Sequence, residues 1–261
     1  MPQNHWIGMI CGAFYINFDI DVRICNNMKE SLRKRRQGVR LEYMILFIYG
    51  ARGAGLEVYD LVTRNNKLKE KYSTIYFIDD FVDETDYYGT RTIHFTSCKE
   101  YVKNDDAEFV IAVGEPAARK LLFDKIKSAG YSLATLIDET AIVSDTAQIS
   151  EGCVINAYTI VSSEVVMKEN CLVMFESIVG HHALIESNCV ICPKATVGGH
   201  SRVGTQTFLG LGSSMMQRVN IGNGAIVGMG SMVFRDVEDG TTVIGNPARV
   251  TKGNREHKVF G

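Results

Sequence analysis

The sequence predicts a small α/β domain of parallel strands alternating with helices, followed by a parallel β-helix that lays three short strands into each coil. Three observations predict this. From Met44 an apolar run, a glycine-rich turn and a helical pattern follow one another, the order of a strand–turn–helix unit. Two more buried runs, at 74–78 and 108–113, repeat that logic. From Ile137 onward every sixth residue is aliphatic or methionine, a period that suits neither an α-helix nor an ordinary strand.

Composition excludes several classes. The 261 residues are 46% hydrophobic and 22% charged, with 28 basic against 30 acidic side chains, so there is ample apolar content for a core. A net charge of −2 gives no footprint for nucleic acid and no acidic excess for disorder. Seven cysteines, an odd number spread over a long chain, argue for a reducing compartment rather than a secreted disulfide framework. No uninterrupted apolar stretch reaches the roughly 18 residues needed to span a bilayer, and residues 7–24 are broken by Asp19 and Asp21. A cytoplasmic protein is expected.

Residues 1–43 read as a poorly ordered extension: an irregular apolar stretch, then the basic run Lys29-Glu30-Ser31-Leu32-Arg33-Lys34-Arg35-Arg36. Charge and periodicity both change at Met44, which could itself open the native protein.

Residues 44–136 read as the α/β domain. The first strand ends in Gly50-Ala51-Arg52-Gly53-Ala54-Gly55, a GxxGxG spacing that differs from the GxGxxG of a dinucleotide fingerprint. Glycines there let a ligand approach the backbone, the helix that follows offers free N–H groups to phosphate, and Arg52 adds charge. The second strand ends in Asp79-Asp80, which either accept hydrogen bonds from a ribose or base edge or cap the next segment. The third ends in Gly114, before a helix over 115–129. A ligand site is expected at the carboxyl ends of these strands.

Residues 137–238 read as the β-helix. Four places after each aliphatic residue stands a small one, including Cys153, Cys171 and Cys189, which lie 18 apart and should stack inside as small core residues. Each coil should pair with its neighbours at about 4.8 Å. The α/β domain is expected to cover one end and the loop Asp236-Val237-Glu238-Asp239-Gly240 to stop the other, with 239–261 a C-terminal loop and tail. His181 holds the third place of its hexad, outside both interior columns. Glu164, His182, His200 and Arg218, spaced by 18, should form one outer column in which Glu164 orients or charges His182.

The segments IYGARGAG (48–55), FIDD (77–80), IAVG (111–114), VGHH (179–182), VGMGS (227–231) and VIGNPARV (243–250) resemble the left-handed β-helix class of bacterial sugar O- and N-acyltransferases. Within that class the chain is similar to the bacillosamine-type nucleotide-sugar N-acetyltransferases and sialic acid O-acetyltransferase-like proteins, over about four-fifths of its length. The resemblance implies an acetyl-CoA-dependent homotrimer of cell-surface polysaccharide biosynthesis, with active sites between adjacent subunits. It implies direct transfer without an acyl-enzyme or metal, and left-handed coils.

By the same resemblance His181 is the general base and the Gly199 backbone holds the oxyanion. Gly210, Leu211, Met229 and Gly230 would bind the cofactor, and Arg52, Gly53, Ala54, Asp79, Asp80 and Gly114 the nucleotide sugar. The chain departs from the pattern where His182 replaces a glutamate, Val190 a histidine, Met174 an asparagine, and Arg52 and Ala54 a serine and a histidine. Two other classes stay open. A γ-type carbonic anhydrase would use imidazoles such as His181, His182 and His200 for zinc, and a non-catalytic partner in a polysaccharide pathway would need no base.

Overall fold

The computed structural model of the chain describes residues 44–82, 85–87, 89–102, 106–254 and 258–260. The expected extension over residues 1–43 lies outside them. Strand β1 (Met44–Tyr49) alternates its side chains, with Leu46 and Ile48 on one face of the sheet and Phe47 and Tyr49 on the other. Helix α1 (Gly53–Arg64) follows, then α2 (Asn66–Lys71) and β2 (Tyr72–Ile78). Next come the hairpin β3 (Thr85–Tyr87) and β4 (Thr90–Ile93), a 3-10 turn (Phe95–Ser97) and α3 (Cys98–Tyr101). Strand β5 (Ala107–Ile111), α4 (Pro116–Ser128) and β6 (Ser132–Leu133) complete the domain. The sheet order is β3-β4-β2-β1-β5-β6, parallel except for β3.

The glycine turn is built by close approach. A methyl group on Gly55 would sit 1.9 Å from the Gly50 carbonyl oxygen, so the helix can start this near the strand only with glycine there.

From β7 (Leu136–Ile137) to β23 (Met232–Val233) a two-residue strand recurs every six residues, and each strand pairs in parallel with the one 18 residues on. Three walls result, the first starting with Leu136–Ile137, the second with Ile142–Val143 and the third with Gln148–Ile149. The aliphatic and small columns form one interior, in which Cys153, Cys171, Val179, Ala183, Cys189 and Ala195 are all buried. The corners turn at the fourth place of the hexad, where residues from Tyr158 to Arg218 recur with positive φ. Asn170 and Asn188 suit that conformation; histidine and glutamate occupy it because the stacked coils hold it. Cys189 and Cys192 form a C-x-x-C spacing, yet Cys189 packs inside the prism and Cys192 on the outer face of the first wall, both as free thiols.

The α/β domain does not cover the end of the β-helix. It lies along the first wall, whose outward residues Leu136, Val154, Leu172, Val190, Phe208 and Ile226 recur every 18 and are buried in one apolar cluster with Ile48, Val58, Leu61 and Val62. Burying each such side chain contributes about 1.5–3 kcal/mol, so the column as a whole holds the domain to this wall. The first-coil residues Ile137, Val143 and Ile149 stay only partly buried among the described residues.

Polar contacts secure the seam. Arg119 of α4 is fully buried and bonds the Asn170 carbonyl oxygen (2.9 and 2.8 Å), the Asn170 Oδ1 (2.7 Å) and the carbonyls of Ile111 and Val113. Burial pushes its guanidinium down to about 10. Arg64 pairs with Asp138 at 2.8 Å and Lys127 with Glu151 at 2.8 Å.

The expected C-terminal loop is also corrected. Val237 bridges Ile221, and β24 (Thr241–Ile244) adds a parallel strand to the first wall, 16 rather than 18 residues beyond its partner. Strand β25 (Arg249–Gly253) then pairs antiparallel with β24. A shortened coil followed by a hairpin breaks the hexad pattern while still using the wall's free edge, which is why the sequence reads as loop. Val259 and Phe260 donate backbone N–H groups to the Glu115 carboxylate, and Phe260 meets Phe208 edge-on at 5.7 Å. Among the described residues no helix is long and apolar enough to cross a membrane.

Candidate active site

His181, His182, Gly199 and His200 converge at the corner between the second and third walls. Residues 178–179 form a strand of the second wall, the turn follows at once, and the 18-residue coil repeat sets Gly199 and His200 one rung above His181 and His182. All three histidines are exposed. The Nδ1 atoms of His181 and His182 face each other at 3.1 Å. The His182 ring stacks on His200 at 4.5 Å between centroids, and His181 stands edge-on to His200 at 5.0 Å. Ligating nitrogens of all three lie within 4.8 Å of one another. Slight desolvation, together with the charges of His182, His181 and Arg218, holds the His200 imidazole below the ordinary histidine range.

Gly199 makes room for the His181 ring. A methyl group there would stand 2.9 Å from His181 Nε2 and 3.0 Å from its Cε1, so the ring lies directly over the glycine backbone. No described residue accepts a hydrogen bond from the Gly199 N–H. With Nδ1 turned to His182, the Nε2 edge of His181 and this N–H are presented together at the corner.

Glu164 is not brought to His182. Neither a hydrogen bond nor an ion pair joins them; His182 engages His181 and stacks on His200 instead. The register of the column is as expected, but corner side chains point outward from backbones of positive φ and need not meet along the edge.

The residues expected to bind the nucleotide sugar gather at the carboxyl edge of the α/β sheet. Arg52 and Gly53 are exposed at the start of α1, Ala54 and Gly114 are half-buried, and Asp79 and Asp80 follow β2. Both carboxylates do structural work. Asp79 accepts from the Phe81 N–H at 2.9 Å. Asp80 accepts from the Phe95 N–H (2.9 Å), pairs with Lys125 (2.6 Å) and takes the Tyr49 hydroxyl. Partial burial would raise the Asp80 carboxyl, but these partners outweigh it and hold it below the usual carboxylate range. Burial and the Asp80 charge push the Tyr49 phenol up.

The residues expected to bind the cofactor sit elsewhere again. Gly210 (buried), Leu211 (50% exposed), Met229 (72%) and Gly230 mark the corner between the first and second walls, one wall away from His181. In Leu211 and Met229 two large apolar side chains project into solvent there.

Sequence reasoning placed the histidine corner through the hexad count. It missed Glu115 as the anchor of residues 259–260 and Arg119 as the seam, because neither lies in a periodic column. It also passed over the apolar outward column of the first wall, which was legible as a repeat of 18.

Comparison with known proteins finds the same two-part fold elsewhere. Residues 45–126 match the family described as the PglD N-terminal domain. The acetyltransferase domain of PglB from Neisseria gonorrhoeae FA1090, solved in complex with acetyl coenzyme A, is 29% identical with a TM-score of 0.75, over 80% of this chain and 100% of that one. WeeI from Acinetobacter baumannii AYE is 27% identical with a TM-score of 0.75, over 80% and 100%. A mutant perosamine N-acetyltransferase from Caulobacter crescentus, bound to CoA and GDP-perosamine, shares the fold at 23% identity and a TM-score of 0.72, over 79% and 96%. The chain thus pairs a small α/β domain with a left-handed parallel β-helix, and it resembles the bacillosamine-type sugar N-acetyltransferases.

Proposed function

We propose that the protein is an acetyl-CoA-dependent acetyltransferase acting on an amino or hydroxyl group of a nucleotide-linked sugar. Support for acetyl-CoA as co-substrate comes from the PglB domain, with its bound acetyl coenzyme A. His181 Nε2 takes the proton of the acceptor as its nitrogen or oxygen attacks the thioester carbonyl. His182 fixes the tautomer by accepting the His181 Nδ1 proton, and the Gly199 N–H bonds the oxyanion. Collapse of the tetrahedral intermediate breaks the carbon–sulfur bond, and the imidazolium returns its proton to the departing thiolate. The acetyl group never resides on the protein.

One observation carries the assembly. The α/β domain rests on the first wall, whereas His181 stands at the corner opposite that wall. That separation supports a closed homotrimer in which the nucleotide-sugar edge of one chain meets the His181 of a neighbour. The second wall offers a surface for it: Ile142, Ile160 and Ile178 run up this wall at 66%, 37% and 40% exposure. The reading carries with it a cytoplasmic protein of cell-surface glycan biosynthesis.

The test is acetyl transfer from acetyl-CoA to a panel of nucleotide-linked amino and hydroxy sugars, run on wild type and His181→Ala. The wild type is expected to acetylate at least one acceptor, and the variant to lose at least about 100-fold in turnover. Its melting temperature should change little, because an exposed corner ring adds little packing. Equal turnover in the two proteins would remove His181 as the base. Failure on every acceptor, with no CoA binding, would favour a non-catalytic partner.

A further inference from the structure

We infer that the His181–His182–His200 corner is a binding site for a borderline divalent cation such as Zn2+, and that the ion silences acetyl transfer by taking the lone pair of the base. The silencing rests on the acetyltransferase reading; the binding does not. Three imidazoles from one chain converge with ligating nitrogens within 4.8 Å of one another. Tetrahedral zinc with nitrogen at 2.0–2.1 Å requires nitrogens roughly 3.3 Å apart. The His181–His182 pair already stands at 3.1 Å. All three rings are exposed, so no core packing holds them apart as they turn toward a common ion.

The backbone is preset for this. His182 and His200 occupy successive corners with φ of 57° and 56°, held in register by the coil pairing, so no loop has to order when the ion arrives. Imidazole is a ligand type that suits zinc, copper and nickel over magnesium or calcium. Glu164 lies one rung below His182 and Arg218 one rung above His200, so the column flanks the ion with one charge of each sign. Three protein ligands leave a fourth position for water. Metal-bound His181 has no free lone pair with which to accept the proton of the acceptor, so occupancy and transfer exclude each other.

The experiment titrates the purified full chain with Zn2+ by competition against a chromogenic chelator, and measures transfer with and without added Zn2+. His200→Gln is the informative variant, since His200 lies outside the proton path. Wild type is expected to bind one Zn2+ per chain and lose transfer as it fills, with EDTA restoring activity. His200→Gln is expected to weaken binding at least about 30-fold and, measured against its own zinc-free rate, to resist inhibition at concentrations that silence the wild type. Unchanged Zn2+ affinity in His200→Gln would overturn the site. Full transfer at saturating Zn2+, or transfer that needs the ion, would overturn its inhibitory role. If the metal-free wild type acetylates nothing, the acetyltransferase reading fails instead, and the affinity comparison still judges the site.

Discussion

Gly199→Ala isolates the placement of the proposed base, His181, from its chemistry. The added methyl would stand 2.9 Å from Nε2, 3.0 Å from Cε1 and 3.2 Å from Cδ2 of His181, and these are the nearest atoms it meets. Ordinary carbon contacts to such atoms lie near 3.5 Å, so the ring must retreat by roughly half an ångström or swing to another rotamer. His181 is exposed and free to do so, which makes the change cheap for folding: within about 0.5 kcal/mol, with no left-handed backbone to strain. For transfer the same retreat is expensive, because displacement of about 1 Å from the reactive geometry costs on the order of 100-fold. We expect kcat to fall about 10- to 100-fold with a melting temperature within about 2 °C of wild type. Steady-state kinetics beside a thermal melt reads both. An unchanged kcat would refute the reasoning, since it would mean that the ring position over Gly199 is irrelevant to turnover.

Two further predictions concern stability. Arg119→Met strands both oxygens of Asn170, each a buried acceptor worth about 1–3 kcal/mol when unpaired, so urea denaturation should show a loss of about 2–5 kcal/mol; a loss under 1 kcal/mol would show that the apolar first wall alone docks the domain. Asp80 has a carboxyl held below the usual range, so it contributes stability that is fully present above the unfolded value of about 3.9 and lost as pH falls through the lower folded value. Asp80→Asn should therefore melt below wild type at pH 7 and converge on it as the pH drops below about 3.9; a pH-independent gap between the two would count against the Lys125 and Tyr49 contacts as its source.

The repeat made the β-helix legible because stacking imposes the same interior volume on every coil. One aliphatic residue every six places, with a small one four later, is a direct image of that constraint. The α/β unit was legible for the same reason in miniature: buried parallel strands must be apolar throughout, and the turn after the first of them needs Gly55. The docking of one unit on the other was written in Leu136, Val154, Leu172, Val190, Phe208 and Ile226, yet a single apolar outward column looks like ordinary strand composition until the three walls are told apart. Arg119 was illegible for a different reason, since a buried arginine satisfied by carbonyls leaves no acidic partner in the sequence. At the site, the histidine corner followed from counting, whereas the 3.1 Å contact of His181 with His182 in place of Glu164 depends on side-chain direction at a positive-φ corner, which spacing does not encode.

Shared sites can be tested by complementation. Chains carrying His181→Ala and chains carrying Arg52→Ala with Asp79→Ala are each expected to be inactive as pure assemblies. In the proposed trimer each site joins the His181 of one chain to the α/β edge of its neighbour, so an equal mixture, unfolded and reassembled together, should recover about a quarter of wild-type transfer. No recovery, from two variants that each reassemble with wild-type melting temperatures, would contradict the placement of the active site between chains.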